Sequence, residues 1–489
     1  MSDRDALRRA RILCTMGPAS RDPGLFRRLV AAGMDGVRVN FSHSSHEDAE
    51  RTVALARAVS KESGLPIAVL ADLQGPKIRV GELDEPVVVE PGRRYRVVPE
   101  RAPAEAGIGH APPADGAVTV VPSAYPELAR DVTPGDRVLF DDGRIALRVV
   151  EVLGADVILE ALDGGTLRSG KGINLPGIEV SVPSLTDKDR DDVRFALDLG
   201  VDYVALSFVR RPADVKELRT IVDGRALVIA KIEMSQALRH LGEIMRTADG
   251  VMVARGDLGV ELDFEEVPIV QKRILRLTRE SAKLGITATQ MLESMISSVR
   301  PTRAEVSDVA NALLDGTDAV MLSAETAIGD HPVEAVETMS RIIRRIERER
   351  TVGSEGPEPA RARGLAAVHH TTAGAIAGAA AEATDRLGSP FLVTFTRSGF
   401  TAWVVSAQRL RVPVLAITDQ AGTWNQLALA WGVVPLLFEG EATYDGMLAT
   451  ARRFALERRL GEPGNPFVVT AGVPFHVPGT TNYMRVETL

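Results

Sequence analysis

The chain has 489 residues, 45% of them hydrophobic and 25% charged, with a formal net charge of −8. Single cores stop growing at roughly 250–300 residues, so two or three domains are expected, and no apolar run is long enough to span a bilayer. The acidic balance, with no Lys/Arg cluster interleaved with aromatics, excludes a nucleic-acid footprint, and the lone Cys14 excludes an internal disulfide or a multi-thiolate metal site.

In chain order, MSDRDALRRA has no apolar stretch before a small-residue cleavage site, so a cytoplasmic protein is expected. Short β-rich runs then alternate with amphipathic helical patterns: RILCTMG from Arg11, GVRVNFS from Gly36 and IAVLADL from Ile67, and later YVALSF, LVIAKIE, GVMVARG, GITATQ and AVMLSAE. These eight strand–helix units lie in residues 1–72 and 174–345. Together they match the roughly 250 residues of a (β/α)₈ TIM barrel, with an open doubly wound sheet as the alternative. Residues 73–173 break the rhythm with short alternating strands between Pro, Gly and Asp turns, and read as an inserted all-β, barrel-like lid over the C-terminal face. A charged linker, RERTVGSEGPEPARAR, precedes a third unit at 361–489, where PFLVTFT, PVLAIT, VVPLLF, PFVVTAG and NYMRVE predict an open α/β sheet.

Polar residues gather where the barrel strands end. Arg38, Asn40 and Ser42 share one face of the second strand, Asp72 ends the third and Ser207 the fourth. Lys231 and Glu233 share a face of the fifth, Asp257 follows the sixth, Thr289 ends the seventh, and Ser323 and Glu325 end the eighth. A lone Lys–Glu pair on a strand reads as a buried ion pair, but a third charge at the same mouth leaves two carboxylates that a cation must neutralise, and Mg²⁺ suits such oxygen ligands. Arg38 with Lys231 offsets phosphate charge. The loops MGPAS and ARGDLG read either as turns or as backbone that approaches an anion, and the hydroxyls of Ser207, Thr289 and Ser323 either as site groups or as helix caps.

The segments MGPAS, RVNFSH, GPKIR, KGINLPG, AKIE, MVARGDLGVE, TATQMLESM, PTRAEVSDVANALLDGTDAVMLSAETA and GTTN together closely resemble the pyruvate kinase family over most of the chain. The resemblance implies phosphoryl transfer from phosphoenolpyruvate to ADP, with Glu233 and Asp257 as ligands of Mg²⁺, for which Mn²⁺ substitutes. It implies that Lys231 stabilises the moving phosphoryl and the enolate, that Arg38 holds the substrate phosphate, and that Gly256, Asp257 and Thr289 hold the carboxylate. Pro18, Asn40, His43, Arg79 and Lys171 correspond to the nucleotide side, and Thr289 with Ser323 to the proton relay. Positions matching Asn40, Ser42, Asp72 and the Leu73 carbonyl hold K⁺ in potassium-dependent members, which carry an acidic residue where this chain has Lys77. An ammonium there replaces the monovalent ion, so activity without K⁺ is expected. The loop TRSGFTA, with Thr396, Ser398, Gly399 and Thr401, resembles the family's phosphate-binding effector loop, for AMP or a sugar monophosphate, unless it is a plain helix cap. A homotetramer is the family's common assembly. Barrel lyases that handle pyruvate enolates, and a non-catalytic kinase scaffold, are the rival readings.

Overall fold

The computed structural model describes residues 8–76, 78–100, 118–352, 371–440, 443–473 and 481–489. Its first three strands are β1 (Arg11–Thr15), β2 (Gly36–Asn40) and β3 (Ala68–Asp72). An all-β insertion follows, with β4 (Val87–Val89), β5 (Arg94–Pro99), β6 (Thr119–Ser123), β7 (Arg137–Phe140), β8 (Ile145–Leu153), β9 (Asp156–Ala161), β10 (Gly165–Leu167) and β11 (Ile173–Asn174). The parallel set then resumes with β12 (Tyr203–Leu206), β13 (Leu227–Ile232), β14 (Gly250–Ala254), β15 (Leu284–Ala288) and β16 (Ala319–Leu322). These eight strands close in the order β1-β16-β15-β14-β13-β12-β3-β2, which decides for the barrel over the open sheet. Every residue of β3, β12, β14, β15 and β16 is buried, as expected of strands covered on one side by helices and on the other by barrel filling.

A repeated sequence device seals the floor of the barrel. Asp35, Asp202, Asp249 and Asp318 each stand one residue before β2, β12, β14 and β16, in the settings DGV, DYV, DGV and DAV. Each carboxylate accepts a backbone N–H from the neighbouring strand, from Ile12, Val69, Val228 and Gly285, at 2.7–2.8 Å. Each also meets an arginine: Asp35 pairs with Arg8 and Arg11, Asp202 with Arg57, Asp249 with Arg219 and Asp318 with Arg409.

The C-terminal sheet comprises β17 (Leu392–Phe395), β18 (Val414–Thr418), β19 (Val433–Leu437), β20 (Pro466–Ala471) and β21 (Tyr483–Thr488), ordered β19-β18-β17-β20-β21 with β21 antiparallel. From it the turn Leu427–Leu429 sets Leu429 among the barrel-floor residues Leu13, Leu70, Tyr203 and Ile286. Leu429 lies so close to Gly36 that a β-carbon there would meet its Cδ2 at 3.1 Å.

The insertion forms a six-stranded sheet, β11-β7-β8-β9-β5-β6, and a β10-β4 pair. The hairpin β7–β8 turns through Asp141, Asp142 and Gly143, all left-handed, at φ of 52°, 56° and 84°. That tight tip brings Gly143 over Val260 of the helix Arg255–Glu261, so the insertion covers the C-terminal mouth of the barrel. No helix among the described residues is long and apolar enough to cross a membrane.

Candidate active site

At the mouth the period of two in β2 and β13 and the ends of β3 and β12 aim five charged or hydroxyl groups at one point. Lys231 Nζ lies 2.7 Å from Glu233 Oε1, 2.7 Å from Ser207 Oγ and 3.3 Å from Asp72 Oδ1. Arg38 Nε donates to Asp72 Oδ2 at 2.6 Å, and its Nη1 to Thr15 Oγ1 at 3.1 Å. Burial pushes the Lys231 ammonium down, but Asp72 and Glu233 outweigh it, so the ammonium is held above its ordinary range and keeps its proton. Burial pushes Asp72 up, while Lys231 and Arg38 bring it below its ordinary value. For Asp257 the same compensation falls short, since Lys231 pulls its carboxyl down without prevailing. Burial and then the charge of Glu233 push its carboxyl up to about 7.

Backbone strain clusters around the same point. Phe208, Thr289 and Gln290 are left-handed, at φ of 55°, 68° and 55°, which side chains avoid unless surrounding structure enforces it. Phe208 N donates to Glu233 Oε2 at 2.8 Å, and Gly256 N donates to Thr289 Oγ1 at 2.8 Å. ARGDLG is not a loop here but the start of the helix Arg255–Glu261, which puts Gly256 and Asp257 in a first helical turn facing the mouth. MGPAS forms a short 3₁₀ turn, Pro18–Ser20. Ser323 Oγ is buried with no hydrogen-bond partner, while Ser323 N donates to Glu325 Oε2 at 2.7 Å.

A cavity of about 290 Å³ separates the lid from the mouth, lined among others by Arg79, Asp141, Asp142, Lys171, Phe208 and Asp257. Lys171 Nζ pairs with Asp141 at 2.7 Å, and Arg79 Nη1 donates to the Gly170 carbonyl at 3.1 Å. Asn40 stands beside Asp72 in register, and its Oδ1 accepts from Ser42 N at 3.1 Å. The Leu73 carbonyl accepts from Ser207 Oγ at 2.7 Å. His43 is exposed on the turn after β2, and Lys77 lies outside the described residues. In the C-terminal sheet domain, Gly399 is left-handed, at φ 81°, before the seven-residue helix Phe400–Ser406. Ser398 is exposed and Thr396 buried, but Thr401 Oγ1 turns inward onto Thr481 Oγ1 at 2.8 Å.

Several site residues escaped the sequence reading. Thr15 beside Arg38 had only its place at a strand end as a signal. Arg255, which anchors Thr289 through its carbonyl at 2.6 Å and pairs with Asp308 at 2.6 Å, sits in the same motif as Asp257. For Phe208 no signal existed, because a bulky residue in a left-handed conformation follows from tertiary contacts alone.

The donor set fits a divalent cation. No group of three His, Cys, Asp or Glu side chains forms a metal cage among the described residues. Glu233 and Asp257 instead offer two carboxylates whose mutual repulsion Lys231 only partly offsets, an oxygen donor pair that suits a hard cation such as Mg²⁺.

Two family models match the chain, "Pyruvate kinase, barrel domain" over residues 7–336 and "Pyruvate kinase, alpha/beta domain" over 374–487. Pyruvate kinases of Corynebacterium glutamicum and Mycobacterium tuberculosis are each 44% identical, the first covering 99% of this chain and 98% of its own length, the second 98% of both. A crystal structure of a pyruvate kinase from Cryptosporidium parvum superposes with a TM-score of 0.88 at 31% identity, covering 100% of this chain and 97% of its own.

Proposed function

The chain belongs to the pyruvate kinase family, and on that premise we propose that its barrel mouth moves the phosphoryl group of phosphoenolpyruvate to ADP by a K⁺-independent route, as the last step of glycolysis. The single observation that carries this reading is the Lys231–Glu233–Asp72 cluster beside Asp257, a carboxylate pushed up to about 7 by burial and by the charge of Glu233.

Glu233 and Asp257 would hold Mg²⁺, with Mn²⁺ as substitute, and the ion would supply positive charge to the anionic substrate. Arg38, now on Asp72, takes the substrate phosphate, while Gly256, Asp257 and Thr289 hold its carboxylate. Lys231 acts as a fixed charge rather than a base, since its neighbours keep it protonated. It meets the charge of the transferring phosphoryl and the developing enolate, the kind of aligned electrostatic stabilisation that supplies most of the rate in phosphoryl transfer. Thr289 and the unpartnered Ser323 hydroxyl carry a proton to the enolate carbon through water. Pro18, Asn40, His43, Arg79 and Lys171 receive the nucleotide, Lys171 exchanging Asp141 for a phosphate. The lid over residues 73–173 excludes water that would hydrolyse the phosphoryl group.

Asn40, Ser42, Asp72 and the Leu73 carbonyl match the positions that hold a monovalent cation in potassium-dependent members, and here Asp72 Oδ1 already faces the Lys231 ammonium at 3.3 Å. In this chain the ammonium of Lys77 takes that role. Thr396, Ser398 and Gly399 form an effector loop for AMP or a sugar monophosphate, with Thr401 supporting it from within. A cytoplasmic homotetramer accounts for the exposure of Phe264, Ile269 and Ile328, at 84%, 69% and 62%.

The test is pyruvate formation from phosphoenolpyruvate and ADP with Mg²⁺ in tetramethylammonium buffer. Full activity is expected without K⁺, and none after chelation of the divalent ion. A large rate gain on adding K⁺ would discard the role of Lys77 and keep the kinase; no activity in either salt, even with AMP or sugar monophosphates present, would discard the kinase reading.

A further inference from the structure

We propose that Phe208 is a positioning residue through which both connectors of the lid set the aim of the Glu233 carboxylate. The inference rests on the reading of Glu233 as a ligand of the divalent ion. Phe208 is half-buried on the cavity wall, two residues after the end of β12, and three independent contacts meet on it. Its N–H donates to Glu233 Oε2 at 2.8 Å, on the oxygen opposite the one that Lys231 holds. Its carbonyl accepts from Ser184 Oγ at 2.8 Å, on the chain returning from the lid. Its ring presses on the chain leaving for the lid, so closely that a β-carbon at Gly75 would come within 2.7 Å of Phe208 Cδ2.

The angle between a residue's own N–H and carbonyl is set by its φ and ψ. At φ 55° Phe208 turns the chain sharply enough to face Glu233 with one group and the returning connector with the other. A phenylalanine stays in that region only where its surroundings hold it there. Here the holding contacts come from the lid connectors. The returning connector is itself fixed from the barrel: Arg210 Nη2 reaches Ser184 Oγ at 3.2 Å and the Val182 carbonyl at 2.7 Å. Gln236 Nε2 donates to the Ile178 carbonyl at 2.8 Å. Where the connectors are held at Ser184 and Gly75 therefore decides where Phe208 stands, and hence the direction from which the Glu233 carboxylate is held.

The experiment measures Mn²⁺ binding to the full chain, without substrates, from the electron paramagnetic resonance signal of free Mn²⁺. Ser184→Ala, which touches neither carboxylate, is expected to weaken Mn²⁺ binding by about 3- to 10-fold, the worth of one buried hydrogen bond. Phe208→Gly keeps the N–H and tolerates the left-handed turn but loses the ring's contact with Gly75, so it is expected to bind about threefold more weakly, and the β-branched Phe208→Val, which also resists that turn, about tenfold more weakly. Thr302→Ala removes a helix cap away from these contacts and is expected to bind like the parent. Parent-like binding by Ser184→Ala, or equal weakening by Thr302→Ala, would overturn the proposal, and Ser184→Ala decides even if Phe208→Val does not fold. A parent chain that binds no Mn²⁺ would remove the metal role of Glu233 and this inference with it.

Discussion

The two ends of the barrel use the same residue types to opposite effect. At the floor each of four aspartates has both an arginine and a backbone N–H, and an apolar plug ending in Leu429 closes the space behind them. At the mouth Asp72, Lys231, Glu233 and Arg38 satisfy one another, Asp257 remains a carboxylate against a carboxylate, and three residues sit in left-handed conformations. A buried pair contributes little net stability but is costly to break, so the floor reads as a lock on strand register. The mouth is left incomplete, and in the proposed reading a cation and an anionic substrate complete it.

The largest effect should come from the mouth. Lys231→Met is expected to lower kcat by about 10²–10³ or more, the scale for deleting one aligned charge-stabilising donor, while thermal unfolding still shows a folded chain. A loss confined to KM would mean that Lys231 only binds substrate, and the contrast with the floor would fail. Asp35→Ala should act the other way round. It removes the carboxylate that faces Arg8 and Arg11 and leaves Ile12 N without its acceptor, so a loss of about 3 kcal/mol is expected, or roughly 6 °C in the unfolding midpoint. Its kcat at 25 °C should stay within about twofold of the parent, because the floor of this fold serves stability and the mouth catalysis. A large fall in kcat with an unchanged midpoint would erase the distinction.

The strands were legible because their signal is local: apolar runs of the right length between turn residues, with polar groups gathered at one end. Arg38, Asp72, Lys231, Glu233, Asp257 and Thr289 could be placed at one mouth on that basis, and the barrel closure brings them together. The floor aspartates recur as an Asp two residues before a Val, but their role is not local, because each takes its backbone N–H and its arginine from other segments of the chain. Other features depend on tertiary contact. That Thr401 turns inward to Thr481, that ARGDLG continues as a helix, and that Phe208 adopts a left-handed turn follow from packing across distant segments.

The smallest expected effect sharpens the account of the floor itself. Burial pushes the Asp202 carboxyl up to about 6 from an ordinary 3.8, against the pull of Arg57 and Val69 N. A carboxyl raised in the folded state binds its proton more tightly there than in the unfolded chain. Its contribution to stability is therefore greatest below about pH 4 and falls as pH rises through about 6. Asp202→Asn cannot titrate, so that slope disappears in the variant. The unfolding midpoint of the parent minus that of the variant should accordingly shrink between pH 4.5 and pH 7, by a few degrees at most. A difference that stays flat across this window would show that Arg57 at 2.9 Å and Val69 N at 2.7 Å keep Asp202 ionised throughout. The floor would then be as fully paired in charge as it is in geometry, and the contrast with Asp257 at the mouth would be wider still.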